Sequence, residues 1–207
     1  MTGQFDPMET KTFYEYDAGK SGRELAYGRL DIVLKELKKR LKNKAGKRRV
    51  LDIGVSDGYL IKRISEMGVI SYGMDIAYKM LKLVAENISS EEKTIFLIQG
   101  SITHLPFANN SFDAITACEI LEHLDEYNLL LALKELKRVL VPGGSLFITT
   151  PYNEQIVNSF VKCPACGNFF PPSAHYSNFN ENKWLSIAAN IGFLRLISKK
   201  YTEPISA

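Results

Sequence analysis

The stretch Arg49–Leu60, Arg-Val-Leu-Asp-Ile-Gly-Val-Ser-Asp-Gly-Tyr-Leu, constrains the fold of this chain more than any other. Val50, Leu51 and Ile53 form a short apolar run that reads as a buried strand. A turn from Gly54 to Gly58 follows, then a helical pattern from Tyr59 to Met67. Strand, glycine turn and helix start together make a ligand site. Glycines let backbone approach a ligand closely, and the amides at a helix start offer donors. A dinucleotide would want Gly-x-Gly-x-x-Gly, with its pyrophosphate on the helix dipole. Here the turn reads Asp52-x-Gly54-x-Ser56-x-Gly58, and the acid at the strand end would repel a pyrophosphate.

Strand and helix patterns then alternate. Gly68 ends the first helix, Val69–Met74 reads as a second strand finishing at Asp75, and Ala77–Asn87 as a helix. Thr94–Ile98 is a third strand and Phe112–Cys118 a fourth. A helix with Leu129, Leu133, Leu136, Val139 and Leu140 on one face comes next, and Pro142-Gly143-Gly144 turns into a fifth strand, Ser145–Thr150. Strands separated by helices predict an α/β fold with a mostly parallel sheet flanked by helices. Its ligand should sit beyond the C-terminal strand ends. At 207 residues the chain suits one domain. Residues 1–48 supply an N-terminal arm and a helix, whose apolar face is Leu30, Val33, Leu34, Leu37 and Leu41. Residues 49–152 form the binding core. Residues 153–207 give an acceptor-side loop, a short helix over Asn153–Phe160, a helix Glu181–Asn190 capped by Asn178-Phe179-Asn180, and a last strand, Phe193–Lys200.

The succession Asp52-x-Gly54-x-Ser56-x-Gly58, Asp75, Leu105-Pro106-Phe107, Phe112-Asp113 before a strand, and Pro142-Gly143-Gly144 resembles the class I S-adenosylmethionine (SAM)-dependent methyltransferases. The resemblance spans Val50–Tyr152 and implies a Rossmann-like fold with SAM as cofactor. A cationic sulfonium and a free amino group suit an acid at Asp52. The resemblance places Asp52, Gly54, Ser56 and Gly58 around the methionine part, and Asp75 on the ribose hydroxyls. It places Ile76, Ser101 and Ile102 by the adenine, and Cys118 with Glu119 on the methyl side. Two positions depart from the family pattern: Ser56 replaces the middle glycine, and Ser101 stands where an acid is common. Asp75 has a second reading, as the cap of the helix that follows it.

Two constellations carry possible chemistry. Glu119, Glu122 and His123 lie at i, i+3 and i+4 after the fourth strand, so on a helix they share a face. Two carboxylates and an imidazole serve as general base or hold Mg²⁺ or Mn²⁺; they also serve as helix caps and dipole partners. Glu-Ile-Leu-Glu-His resembles ubiquinone-pathway O-methyltransferases. It is similar as well to small-RNA 3′-end ribose methyltransferases, in which such residues and a later histidine, here His175, bind a metal. The second constellation is Cys163, Cys166 and His175, a partial zinc pattern in which nine residues let His175 return to the thiols. His123, His104 or a second chain would supply the fourth ligand, and zinc would pin Pro171-Pro172 over the acceptor pocket. The alternative is a dry loop with incidental thiols.

Hydrophobic content of 45% and charged content of 24% fit a soluble globular protein, and the formal net charge is +3. No run of about 18 apolar residues appears, so no membrane span is expected. Three cysteines do not resemble a secreted disulfide framework, and the expected location is cytoplasmic. Lys35, Lys38, Lys39, Arg40, Lys42, Lys44, Lys47, Arg48 and Arg49 crowd one segment, which could hold phosphates or be a solvated face. Methyl transfer to a small molecule is the expected function. The alternatives are RNA 3′-end ribose methylation and a non-catalytic SAM-binding module.

Overall fold

The computed structural model describes residues 23–42, 47–88, 94–154, 160–164, 166–170 and 173–191. The elements run α1 (Arg23–Leu41), β1 (Arg49–Ile53), α2 (Tyr59–Ser65), β2 (Ile70–Asp75), α3 (Tyr78–Asn87), β3 (Ile95–Gln99) and β4 (Phe112–Cys118). A 3₁₀ turn (Leu121–His123) follows, then α4 (Glu126–Val139), β5 (Leu140–Thr149), β6 (Val161–Lys162), β7 (Phe169–Phe170) and α5 (Glu181–Ile191). Five strands form one sheet in the order β3-β2-β1-β4-β5, every pair parallel. A parallel sheet needs both faces covered, so its central strands are largely apolar. In β1, Val50 packs with Leu34 and Leu37 of α1 and Leu60 and Ile64 of α2. Leu51 and Ile53 point the other way, to Leu129, Leu133 and Leu136 of α4 and Ile191 of α5. The helices thus cover both faces.

The chain order and strand polarity bring the ends of β1, β2 and β4 to one edge, where loops gather Gly54, Asp75 and Glu119. Beyond the sheet, β6 and β7 pair with each other as an antiparallel hairpin. The segment before α5 packs back on the core. Phe179 is buried and stacks on Trp184, and Asn153 N donates to the Phe179 carbonyl at 2.7 Å. Asn180 caps α5, its Oδ1 accepting from Lys183 N at 2.9 Å. Among the described residues no helix is long and apolar enough to cross a membrane. All but Arg23 of the expected arm Met1–Arg23, most of the helix 153–160, Pro171-Pro172 and the strand 193–200 lie outside the described residues.

Two local expectations need correction. Pro142-Gly143-Gly144 does not precede the fifth strand but lies inside β5, where pairing with β4 jumps from Phe112↔Leu140 to Ala114↔Ser145. The irregularity absorbs Gly143, whose φ is +73°. The i, i+3, i+4 helical face proposed for Glu119, Glu122 and His123 does not form. Glu119 takes a left-handed φ of 54°, and only Leu121–His123 curls, as a single 3₁₀ turn.

Candidate active site

The donor side begins at the turn after β1. Gly54 and Gly58 both have positive φ, and a Cβ on Gly54 would collide with the side chain of Ile120. Glycine is therefore needed there twice over, for conformation and for space. Ser56 adopts the left-handed region at φ 49°, the geometry the glycine of the family pattern would take without penalty. Its exposed side chain leaves the turn intact.

Two acids frame this turn. Asp52 is buried; its Oδ1 accepts from Thr116 Oγ1 at 2.7 Å, while its Oδ2 has no hydrogen-bond partner. Burial pushes its carboxyl up to about 7, the Thr116 hydroxyl opposing and the charge of Asp75 adding to the rise. Asp75 ends β2. Its Oδ1 accepts from Ala77 N at 2.9 Å, and the amides of Ser56 and Ile76 also donate to its carboxylate. Burial raises its pKa nevertheless, with these amides pulling it back. Asp75 thus ties the glycine turn to the start of α3, and a carboxylate with about four lone-pair sites can still receive ribose hydroxyls.

The remaining cofactor-side residues are distributed unevenly. Ile76 is half-buried beside Asp75. Ser101 Oγ lies 2.9 Å from Thr103 Oγ1, and Ser101 bridges to His104 in a tight turn. Ile102 is buried in the main core with Met74 and Leu105. Cys118, at the end of β4, packs near Val50 and Ala114, and burial pushes its thiol up, so it offers an apolar wall rather than a nucleophile.

Next to β4 the chain builds a second cluster. Ligand-capable atoms of Glu122, His123 and His175 all lie within 4.8 Å of one another. The tail supplies His175 because it is stitched to the 3₁₀ turn. Tyr176 N and Ser177 N donate to the Glu122 carbonyl at 2.7 and 3.0 Å, and Ser177 Oγ donates to the Leu124 carbonyl at 2.8 Å. The two imidazole rings meet edge to face, 4.9 Å between centroids. Glu122 is buried, and among the described residues neither carboxylate oxygen has a hydrogen-bond partner. Burial, with the neighbouring Glu119 charge adding, raises its carboxyl to about 8. Burial likewise lowers His123 to about 4, so the ring is neutral at pH 7. Glu119 stands alongside, its Oε1 buried without a partner and its Oε2 3.3 Å from Arg29 of α1.

The expected zinc set is not assembled. His175 lies with Glu122 and His123, whereas Cys163 and Cys166 sit at the β6–β7 hairpin and join no three-ligand cluster among the described residues. The physical reason is the pair of hydrogen bonds donated by the Tyr176 and Ser177 amides to the Glu122 carbonyl, which commit His175 to the 3₁₀ turn. Glu154 was missed from sequence: its Oε2 lies 2.5 Å from His175 Nδ1, and no local spacing signals that contact across 21 residues.

A parallel α/β sheet with an acid-flanked glycine turn at its C-terminal edge, and an acid ending the next strand, defines a nucleoside-binding enzyme of the Rossmann-like class. A family model described as "Methyltransferase domain" matches residues 51–148. Together with the sheet and the acid-flanked glycine turn, this match supports a class I SAM-dependent methyltransferase. A demethylmenaquinone methyltransferase from Listeria monocytogenes is 32% identical over 149 residues, covering 66% of this chain and 60% of that protein. The match therefore spans about 60% of the length of such curated relatives. Among solved structures, the YcgJ protein from Bacillus subtilis shares the fold with a TM-score of 0.62 at 20% identity, covering 80% of this chain and 68% of that one. A SAM-dependent methyltransferase from Aquifex aeolicus has a TM-score of 0.60 at 23% identity, covering 91% and 89%.

Proposed function

We propose that this chain transfers a methyl group from SAM to a small-molecule acceptor, in a site that holds a divalent cation beside the donor. The observation that carries the reading is Glu122, a buried carboxylate with two unpartnered oxygens facing two imidazoles. Such a group is costly to bury unless a proton or a cation satisfies it. One carboxylate and two imidazoles suit Mn²⁺, Fe²⁺, Co²⁺ or Zn²⁺ better than Ca²⁺. A cation held there would lower the pKa of an acceptor hydroxyl. The other tasks fall to the chain itself. Asp75 holds the ribose, the Gly54–Gly58 turn and Asp52 hold the methionine part, and Cys118 walls the methyl side. Glu119 faces the acceptor. Displacement at the sulfonium methyl then depends on alignment within this frame.

The small-molecule reading draws on the Listeria relative, whose name states methylation of demethylmenaquinone. It also draws on the similarity to ubiquinone-pathway enzymes, and it includes a cytoplasmic location. A second reading, methylation of the 3′-terminal ribose of RNA, is favoured by the meeting of His175 with Glu122 and His123, beside Glu119. Transfer of labelled methyl from SAM decides between them. The acceptors to offer are a panel of hydroxylated and quinol compounds, and short RNAs with free or blocked 3′ ends. The proposal requires transfer to a panel compound that falls on chelation and returns with Mn²⁺ or Co²⁺. Transfer only to free RNA 3′ ends selects the second reading, and transfer indifferent to chelation removes the cation.

A further inference from the structure

Glu154 lies on the segment that follows β5. Its Oε2 accepts from Nδ1 of His175 at 2.5 Å, and His175 is mostly buried, with its side chain 15% exposed. A carboxylate oxygen accepts, so Nδ1 carries the hydrogen, and in the neutral ring the lone pair is then on Nε2. His123 is treated the same way by a different partner, its Nδ1 lying 3.0 Å from the Ala174 carbonyl, which also only accepts. Both imidazoles thus meet, through Nδ1, acceptors from outside the cluster, and both rings belong to the group formed with Glu122. A ligating histidine needs this arrangement, because the partner of the distal nitrogen sets both ring orientation and basicity.

We propose that Glu154 is a positioning residue that fixes the tautomer and orientation of His175, and so sets the cation affinity of the Glu122–His123–His175 cluster. This rests on the cation reading above for its consequence, but not for its first step, which is a property of the metal-free protein. The contact is also well placed to act. Glu154 follows the Tyr152–Phe179 bridge, so the strand end and the histidine-bearing tail are held in register at the point where Glu154 reaches across.

Two measurements test it on the full chain, comparing wild type with Glu154→Ala and Glu154→Gln. The first is nitrogen-15 NMR of the imidazole rings without metal. His175 is expected as the Nδ1–H tautomer in wild type and in Glu154→Gln, whose side-chain carbonyl accepts the same hydrogen. Glu154→Ala should shift it to a mixture. The second is calorimetric titration with Mn²⁺ and Co²⁺. Glu154→Ala should weaken binding about 10- to 100-fold, and Glu154→Gln by less. An unchanged His175 tautomer in Glu154→Ala overturns the positioning role. Unchanged affinity, while His175→Ala abolishes binding, overturns its consequence for the cation. If wild type binds neither ion, the cation reading fails on its own, and the tautomer comparison still decides what Glu154 does. Glu154→Gln guards against a folding defect in the alanine variant.

Discussion

Ala174, held in the left-handed region at φ 52°, presents its carbonyl oxygen 3.0 Å from Nδ1 of His123, 51 residues earlier in the chain. A non-glycine residue there carries a conformational cost, and such cost persists where surrounding contacts over-determine it. Glu119, at φ 54°, and Asn153, at φ 53° beside Glu154, adjoin the same cluster. The tail is thus bent, against local preference, onto the end of β4. What it delivers there is His175, next to Glu122 and His123.

His123→Ala should lower turnover about 100-fold or more while leaving SAM affinity within a factor of about two. The ring is grouped with Glu122 and His175, on the side proposed for the acceptor. Steady-state kinetics with calorimetric SAM binding separates the two effects, and a parallel loss of both would make His123 structural.

Asp75→Ala should weaken SAM and S-adenosylhomocysteine alike by about 1.5–3 kcal/mol, the loss expected for a charged acceptor. The same change removes the anchor of the Ser56 and Ala77 amides, so a fall in melting temperature should accompany it. Asp75→Asn keeps an acceptor for those amides and should retain more of the stability than of the affinity. Equal affinity in all three proteins would take Asp75 out of the site.

Ser56→Gly should stabilise the protein by about 1 kcal/mol. It removes the left-handed penalty at φ 49° and gives part of that back as unfolded-chain entropy. Chemical denaturation measures it. A destabilised glycine variant would mean that the serine side chain holds the turn through a contact of its own.

Asp52 gives the stability a pH dependence of known sign. Its carboxyl is raised from 3.8 to about 7, so between those values the folded chain keeps a proton that the unfolded chain has lost. Stability from this group therefore falls as pH rises from about 4 to about 7 and is flat above. Asp52→Asn should flatten that part of the profile in ligand-free protein. Denaturation midpoints across pH 4–8 for both proteins provide the check, and identical slopes would contradict the burial of an unpaired Oδ2.

The frame proposed for the donor was legible in the sequence because it lies within single turns. Strand, glycine turn and following acid are local patterns, and Asp52, Gly54, Gly58 and Asp75 follow from periodicity and punctuation. The cluster around Glu122 was only partly so. Glu122 and His123 are neighbours in sequence, but a helix was the wrong device to gather them with Glu119, whose left-handed φ no pattern signals. His175 had two readings, with Cys163 and Cys166 by spacing and as the later histidine beside Glu122 and His123 by resemblance, and tail amides donating to the Glu122 carbonyl hold it at the second. Glu154 could not be found at all, because its contact depends on how β5 and the tail are registered.

In the proposed function the donor turn and the cation cluster form one site. SAM carrying a carbon-13 methyl group, bound without acceptor and titrated with Mn²⁺, reports on this directly through paramagnetic broadening. The account predicts that the methyl resonance broadens beyond detection near one equivalent of Mn²⁺ in wild type and stays sharp in Glu122→Gln. A methyl resonance that remains sharp in wild type, with SAM bound and Mn²⁺ in excess, would contradict it.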